Sequence, residues 1–482
     1  MLAAILVIPV GVALLALANR KLAPWLTLAG TTTILVLAGK ASGTVASVGA
    51  LSAAGGALSL DALAAVYLLL VAFVGMTASL YSIGYLEARG EGSAESAPRY
   101  RQYYPLFNIF LASMLAVPLV SNLAIVWIAI ELTTVFSAFL VAYEDQAESL
   151  EAAWKYVALT SMGAMIALLG TLILYYGITA AGAAPTWSGL RSAAPGMAPA
   201  VLLIPFVLWL VGFGAKAGLV PLHTWLPDAH SQAPAPICAL LSGVETSGAL
   251  YTLLRIYPGL ASNPGIAHPE WWYLVAGIGS VGTAAFLLLQ VRDFKRLFAY
   301  STIEHMGIII TACGLGAGAD QSGTVYQFFA HSLTKSFCFY AAGLATIALG
   351  GQRIGRAGGL IGRAPLAGWA LLLGGIAIAG APPFALFISE FRILLTGFAA
   401  HEYLASSLLT AFIVLAFVAI MYRLGRVVFG PPGERGTATV LPLTCKAALI
   451  IAFIPVLVFG IYVPPSLDTL LHRASVLLGG AS

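Results

Sequence analysis

The sequence predicts an all-α polytopic membrane protein with about 14 transmembrane helices, two inverted five-helix repeats and discontinuous helices 7 and 12. Three observations predict it. Of the 482 residues, 60% are hydrophobic and 9% charged, where soluble domains carry about 25% charged residues. Apolar runs long enough to span a bilayer follow one another from end to end. Two of those runs, five spans apart, are interrupted by Gly and Pro.

The runs fall at 2–18, 23–39, 60–83, 103–120, 122–142, 153–178, 201–221, 235–257, 271–290, 296–314, 323–349, 367–398, 404–429 and 443–463. In the first, the positive charges Arg20 and Lys21 follow the apolar stretch instead of preceding it. That order predicts a retained span with its N-terminus outside. The fourth and fifth runs are almost continuous and need a tight turn at Ser121-Asn122. Loops after odd-numbered spans, from Arg20 and Lys21 through Arg356 to Arg435, hold about 15 of the Lys and Arg residues, and the remaining loops and tail about five. The odd loops are therefore expected on the cytoplasmic side of a multi-pass inner-membrane protein, with both termini on the outer, periplasmic side. Two polar loops, 87–99 and 180–196, read as mobile connectors. The seventh run breaks at Gly214–Pro221 and the twelfth at Gly380–Pro383. Spans five apart point in opposite directions, which is the pattern of an inverted repeat. The resulting division is 1–102 (helices 1–3), 103–257 (first repeat, helices 4–8), 271–429 (second repeat, helices 9–13) and 443–482 (helix 14 and tail).

Composition excludes several functions. No basic block points to nucleic acid. Cys238, Cys313, Cys338 and Cys445 are far apart and lie mostly in apolar runs, without metal or iron–sulfur spacing. No phosphate loop or dinucleotide fingerprint is present. No catalytic, metal or cofactor set is expected in this chain.

Charges inside the spans are costly and mark pathways or pairs. Glu131 lies in the fifth span and Lys216 in the broken seventh, within VGFGAKAGLVPLHTWLPDAHS, which also carries His223, Asp228 and His230. Glu245 lies in the eighth span, Glu304 and His305 in the tenth, His331 and Lys335 in the eleventh, and Glu390 beyond the break of the twelfth. His331 and Lys335 are i and i+4, on one helix face. Glu131 and Lys216 can pair across a helix interface. Such a row suits proton transfer: a carboxylate beside a buried lysine tunes the lysine's hold on its proton, and histidine passes protons near neutrality. The alternatives are a static packing ion pair at Glu131–Lys216, a hydrogen-bonded core histidine at His331, interfacial placement of Glu304 and His305, simple capping of the helix break by His223, Asp228 and His230, and a snorkelling Arg255.

The segments KAGLVPLHTWLPDAHSQAPAP, KRLFAYSTIEHMG and HSLTKSFCFYAAG resemble the antiporter-like subunits of complex I, Mrp-type sodium/proton antiporters and group 4 energy-converting hydrogenases. STIEHMG and the compact length are most similar to the F-type large membrane subunit of hydrogenase-4-like complexes. The resemblance covers roughly 60–430. It implies a fifth-span glutamate at Glu131, a seventh-span lysine at Lys216, a central relay at His331 and Lys335, and a terminal protonatable group at Glu390. The sequence departs from the family in the eighth span, where relatives carry a lysine shortly before the aromatic matching Tyr251. Here the segment reads Glu245-Thr246-Ser247-Gly248.

The resemblance implies a proton-translocating subunit of a redox-driven complex. Its expected partners are other membrane subunits, peripheral hydrogenase-like subunits carrying the iron–sulfur clusters, and the lipid bilayer. The rival expectations are an Mrp-type Na⁺/H⁺ antiporter subunit, an energising subunit of an inorganic-carbon uptake complex with a zinc-protein partner, and a structural scaffold.

Overall fold

A computed structural model describes residues 1–90, 97–316, 320–354, 358–431 and 441–479. Arg356, Arg435 and residues 91–96 of the first polar loop lie outside the described residues. The helices are α1 (Leu2–Ala18), α2 (Ala23–Val48), α3 (Ala62–Ala88), α4 (Ala97–Leu119), α5 (Leu123–Val141), α6 (Ala147–Ala180), α7 (Trp187–Ala193), α8 (Pro199–Ala217), α9 (Trp225–Gln232), α10 (Ala235–Leu240), α11 (Thr246–Ser262), α12 (Glu270–Leu288), α13 (Phe294–Leu315), α14 (Ser322–Leu349), α15 (Leu360–Arg363), α16 (Pro365–Ile378), α17 (Ala385–Ala399), α18 (Tyr403–Phe429), α19 (Leu443–Val458) and α20 (Pro465–Gly479). Every expected run overlaps a helix. Among the described residues, nine helical runs are long and apolar enough to cross a membrane, and α1, α16 and α19 are shorter apolar helices. The protein is a multi-span, predominantly helical membrane protein.

Two features depart from the expectation. A hairpin, β1 (Ala50–Ala53) and β2 (Leu58–Asp61), precedes α3 with Ala50 opposite Asp61. Gly55 and Gly56, at φ 65° and 91°, make its reversal possible. The segment 180–196 is built rather than a free connector. Thr186 caps α7 through the Gly189 amide, and Asn263 Nδ2 donates to the carbonyls of Ala194 and Met197. The turn between α4 and α5 is as tight as expected: Ser121 donates to Gly56 O, and Asn122 caps α5 by accepting from the Ala124 amide.

Both interrupted runs break in the same way. α8 ends at Gly218 (φ 81°), and Leu219 N–H donates back to Gly214 O at 2.8 Å. α16 ends before Gly380 (φ 70°), and Ala381 N–H donates back to Ile376 O at 3.2 Å. These are Schellman caps, which glycine supplies without steric cost. The freed backbone finds internal partners, as a bilayer requires. Trp225 Nε1 donates to Ala215 O at 2.9 Å, and the Val220 amide donates to Ser280 Oγ at 3.0 Å. At the second break His305 Nε2 meets Ile378 O at 2.9 Å.

Close packing then brings the broken helix to its neighbours. A Cβ on Gly163 of α6 would lie 2.7 Å from Gly212 O of α8, and one on Gly212 2.4 Å from Gly163 O. Glycine at both positions lets the two backbones touch, as small residues do between membrane helices. Lys216 sits one turn beyond this contact.

A buried row of acids and bases as the candidate functional site

Lys216 is 2% exposed and Glu245 3%. Their charged ends are 2.9 Å apart. Tyr156 donates to the same Glu245 oxygen at 2.7 Å and contacts Ser137 Oγ at 2.7 Å. Lys216 also donates to Thr134 Oγ1. A buried ion pair survives only when hydrogen bonds satisfy its remaining groups. Here Thr134 and Ser137 of α5 and Tyr156 of α6 bond to the pair that α8 and the eighth run supply, and the second Glu245 oxygen has no partner among the described residues.

This corrects the expected Glu131–Lys216 pair. Glu131 accepts from Ser161 of α6 at 2.8 Å and is only half-buried. Its neighbours on α5 at Ile128, Leu132 and Val135 are exposed apolar residues. The face of α5 that meets Lys216 carries Thr134 and Ser137 instead. Glu245, the acid with the least obvious role in the sequence, is the lysine's partner.

The reason lies in the backbone. Residues Leu241–Glu245 form a π-helical turn between α10 and α11. Such turns insert a residue into a helix, re-aim the side chains beyond it, and concentrate at functional sites. The same turn also reaches the central histidine. Its Ser242 carbonyl lies 3.3 Å from His331 Nε2, so one turn touches the lysine pair on one side and the central histidine on the other.

The centre of the row is fully buried. The His331 and His305 rings are 5.3 Å apart. Lys335 donates to Phe298 O at 2.7 Å and Ser301 Oγ at 2.5 Å. Glu304 is 3% exposed, not interfacial, and one of its oxygens has no partner among the described residues. Glu390 is 6% exposed, with Oε1 3.9 Å from His305 Nδ1. A Cβ on Gly380 would meet the other Glu390 oxygen at 2.0 Å. The second helix break thus leaves space that the carboxylate occupies. The row runs Lys216, Glu245, the Ser242 carbonyl, His331, His305, Glu390, with Lys335 and Glu304 beside it.

The HTWLPDAH residues separate. His230 is fully buried between Trp225 and Phe339, and neither ring nitrogen has a partner among the described residues. Asp228 stands apart from the row, paired with Arg296 at 2.6 Å and Lys155 at 3.2 Å. These three line a small crevice beside a cavity of about 730 Å³ that is lined by Arg292, Asp293, Arg296 and Arg353. His223, partly buried, lies in the first break. Sequence reasoning also missed the pairing of Arg255. It is not a snorkelling end residue: it pairs with Asp61 and lies 5.0 and 5.2 Å over the rings of Trp187 and Tyr251. That pair lines a second cavity, of about 800 Å³, at the opposite end of the bundle. Thr134, Ser137, Tyr156 and Ser242 had no signal of their own; they are ordinary polar residues on apolar helices.

The fold and the row define a class: a polytopic helical subunit with charged and imidazole side chains stacked through its interior across two broken helices. Residues 120–416 match the family described as NADH:quinone oxidoreductase/Mrp antiporter, TM, and residues 48–104 the family described as NADH-Ubiquinone oxidoreductase (complex I), chain 5 N-terminus. The chain belongs to the NADH:quinone oxidoreductase/Mrp antiporter family and is an antiporter-like membrane subunit. It is 37% identical over 423 residues to the hydrogenase-4 component F homolog of Methylacidiphilum infernorum (isolate V4), covering 87% of this chain and 88% of that one. It is 32% identical over 350 residues to hydrogenase-4 component B of Escherichia coli (strain K12), covering 69% of this chain and half of that longer protein. Among solved structures, a chain of the membrane-bound sulfane sulfur reductase, an archaeal respiratory membrane complex, superposes with a TM-score of 0.86 at 25% identity, covering 99% of this chain and 96% of that one. A chain of the Mrp complex from Dietzia sp. DQ12-45-1b superposes at 0.87 and 18% identity, covering 100% and 97%, a likeness of fold.

Proposed function

We propose that the chain moves protons along this row within a redox-driven complex related to complex I and membrane-bound hydrogenases. One observation carries the reading. Two broken helices and a π-turn bring a lysine–glutamate pair, two histidines and a glutamate into one buried file, with Lys335 alongside. Intramembrane groups of this kind are costly unless they serve a pathway. Lys216 and Glu245 form the first station, His331, His305 and Lys335 the middle, and Glu390 the last; His230 and His223 serve the approach from the first break, and Glu131 faces a neighbouring subunit. Redox chemistry in partner subunits, which hold the iron–sulfur clusters, shifts charge beside the chain and loosens the Lys216–Glu245 contact. The broken helices supply the two-state element that direction requires. The topology that fits is 14 spans in the inner membrane, with inverted repeats at 103–257 and 271–429, the Arg-rich loops inside and both termini outside. The hydrogenase-4 relatives and the archaeal respiratory complex favour this over sodium/proton exchange.

Reconstitution of the complex with Lys216→Ala tests it. Pumping is lost while electron transfer persists; unchanged pumping overturns the reading. Iron–sulfur chromophores co-purifying in stoichiometric amount support the redox partner, whereas their absence favours an Mrp-type assembly and a zinc protein an inorganic-carbon uptake complex.

A further inference from the structure

The π-turn is held from outside its own helix. Thr246 N–H donates to Leu241 O, five residues back, where an α-helix would use four. The next three carbonyls each accept from a side chain. Ser242 O accepts from Thr246 Oγ1 at 2.9 Å, and Gly243 O from Ser247 Oγ at 3.0 Å. These are local bonds that Ser and Thr make in any helix. Val244 O is different. It accepts from the Tyr67 hydroxyl of α3 at 2.9 Å, a donor 177 positions away in the chain. The Tyr67 ring is buried, stacked on Tyr251 at 5.3 Å and edge-on to Phe328 of α14 at 5.9 Å. Its packing therefore aims the hydroxyl.

Gly248 makes room for that hydroxyl. Val244 and Gly248 are i and i+4, neighbours on one helix face. A Cβ at Gly248 would lie 2.4 Å from the Tyr67 oxygen and 3.3 Å from the ring carbon that bears it. A side chain at position 248 would thus displace the phenol. Single π-turns are rare inside α-helices, and a buried carbonyl that loses its donor is costly. Together the phenol and the glycine give Val244 O a partner that does not require the ordinary α register.

We propose that Tyr67 is a positioning residue: its hydroxyl holds the Leu241–Glu245 turn in the π register and so keeps the Glu245 carboxylate on Lys216. The inference rests on the relay reading above and adds to it a residue that carries no proton itself. Without the hydroxyl, Val244 O must find a backbone N–H. The ordinary i→i+4 bond to Gly248 supplies one, and the turn tightens. Glu245, at the end of the turn, then swings away from the lysine. Ser242 O moves with it, so the contact to His331, 3.3 Å in the native turn, lengthens as well.

Two variants and a control test the role in the assembled complex in lipid. Tyr67→Phe removes only the hydroxyl. Gly248→Ala pushes that hydroxyl aside while supplying a better helix former. Tyr81→Phe is the control: Tyr81, also buried on α3, donates to a backbone carbonyl at the same 2.9 Å, but to that of Tyr340 on α14. Tyr67→Phe and Tyr81→Phe lower the unfolding midpoint alike, since each strands one buried carbonyl. Only Tyr67→Phe lowers the protons pumped per electron, by about tenfold, the scale of one lost buried bond. An electron cryo-microscopy map of Tyr67→Phe shows an α-helical turn, with Glu245 out of hydrogen-bond reach of Lys216 instead of 2.9 Å away. Gly248→Ala does the same, and adding it to Tyr67→Phe costs little more, because both act on one bond. A native turn in Tyr67→Phe, whatever its pumping, overturns the proposal, and so does an equal pumping loss in Tyr81→Phe. If Tyr67→Phe does not assemble, Gly248→Ala decides: a native turn with native pumping there overturns the proposal. Lys216→Ala separates the two levels. Full pumping in that variant fells the relay reading, while the maps still report the turn; lost pumping there, with a native turn in Tyr67→Phe, fells the positioning role alone.

Discussion

Glu245→Gln is the most discriminating substitution. It keeps the volume and a hydrogen-bond acceptor for Tyr156 but removes the charge facing Lys216. At 2.9 Å and an effective dielectric of about 20, the lost attraction is about 6 kcal/mol. Part of that is recovered by relaxation and by the retained hydrogen bonds, and removing one partner of a buried pair costs about 3–5 kcal/mol. That is two to nearly four powers of ten in any equilibrium that requires a charged Lys216. Glu131→Gln, at a half-buried site held by Ser161, removes no contact with the lysine. The assay is proton pumping by the reconstituted complex, read with a pH-sensitive dye, alongside electron transfer and a size-exclusion check of assembly. Glu245→Gln loses pumping by at least about a hundredfold, and Glu245→Asp, which keeps the charge, restores part of it. Wild-type pumping in an assembled Glu245→Gln complex, or an equal loss in Glu131→Gln without one in Glu245→Gln, refutes the assignment of Glu245 as the lysine's partner.

Gly380→Ala puts a methyl where the Glu390 carboxylate lies and forces φ of 70° on a residue with a Cβ, a backbone cost of about 1–2 kcal/mol; the complex assembles, and pumping drops while electron transfer persists. At the other end of the bundle, burial alone would raise the Asp61 carboxyl, but the Arg255 charge and hydrogen bonds outweigh it and hold the group below 3.8. Its contribution to stability is therefore complete at neutral pH and is lost as pH falls below about 4. Asp61→Asn strands the arginine and destabilises the protein at pH 7 by about 3 kcal/mol; thermal-denaturation scans in detergent show a lower midpoint and a flattened acid-side dependence.

Much of the fold was legible because a bilayer dictates it. Each apolar run had to be helical, and Gly with Pro inside a run had to mean a break. The identities of the buried ionisable groups were legible for the same reason: hydrocarbon makes any charge conspicuous. Their pairing was not. Whether Lys216 meets Glu131 or Glu245 depends on the rotation of two helices, and the π-turn that sets one of them leaves no signature in hydrophobicity. The hairpin at 50–61 was hidden because eight strand residues beside a glycine turn are too short to separate from a loop. Asp61–Arg255 joins residues far apart in sequence, each of which alone looks like an ordinary helix-end charge.

The π-turn at Leu241–Glu245 has a consequence for how this site can vary. An α-helix advances about 100° per residue, so the extra residue there decides which way everything after it points. Losing one amino acid from that stretch would leave the apolar character of the segment unchanged, yet swing the carboxylate a quarter-turn off its lysine. Swapping a letter at Leu241 or Val244 alters packing; dropping one rewires the circuit. In this protein a one-residue gap is therefore a more radical event than most replacements, and a chain lacking that insertion must find its lysine's counter-charge on a different helix.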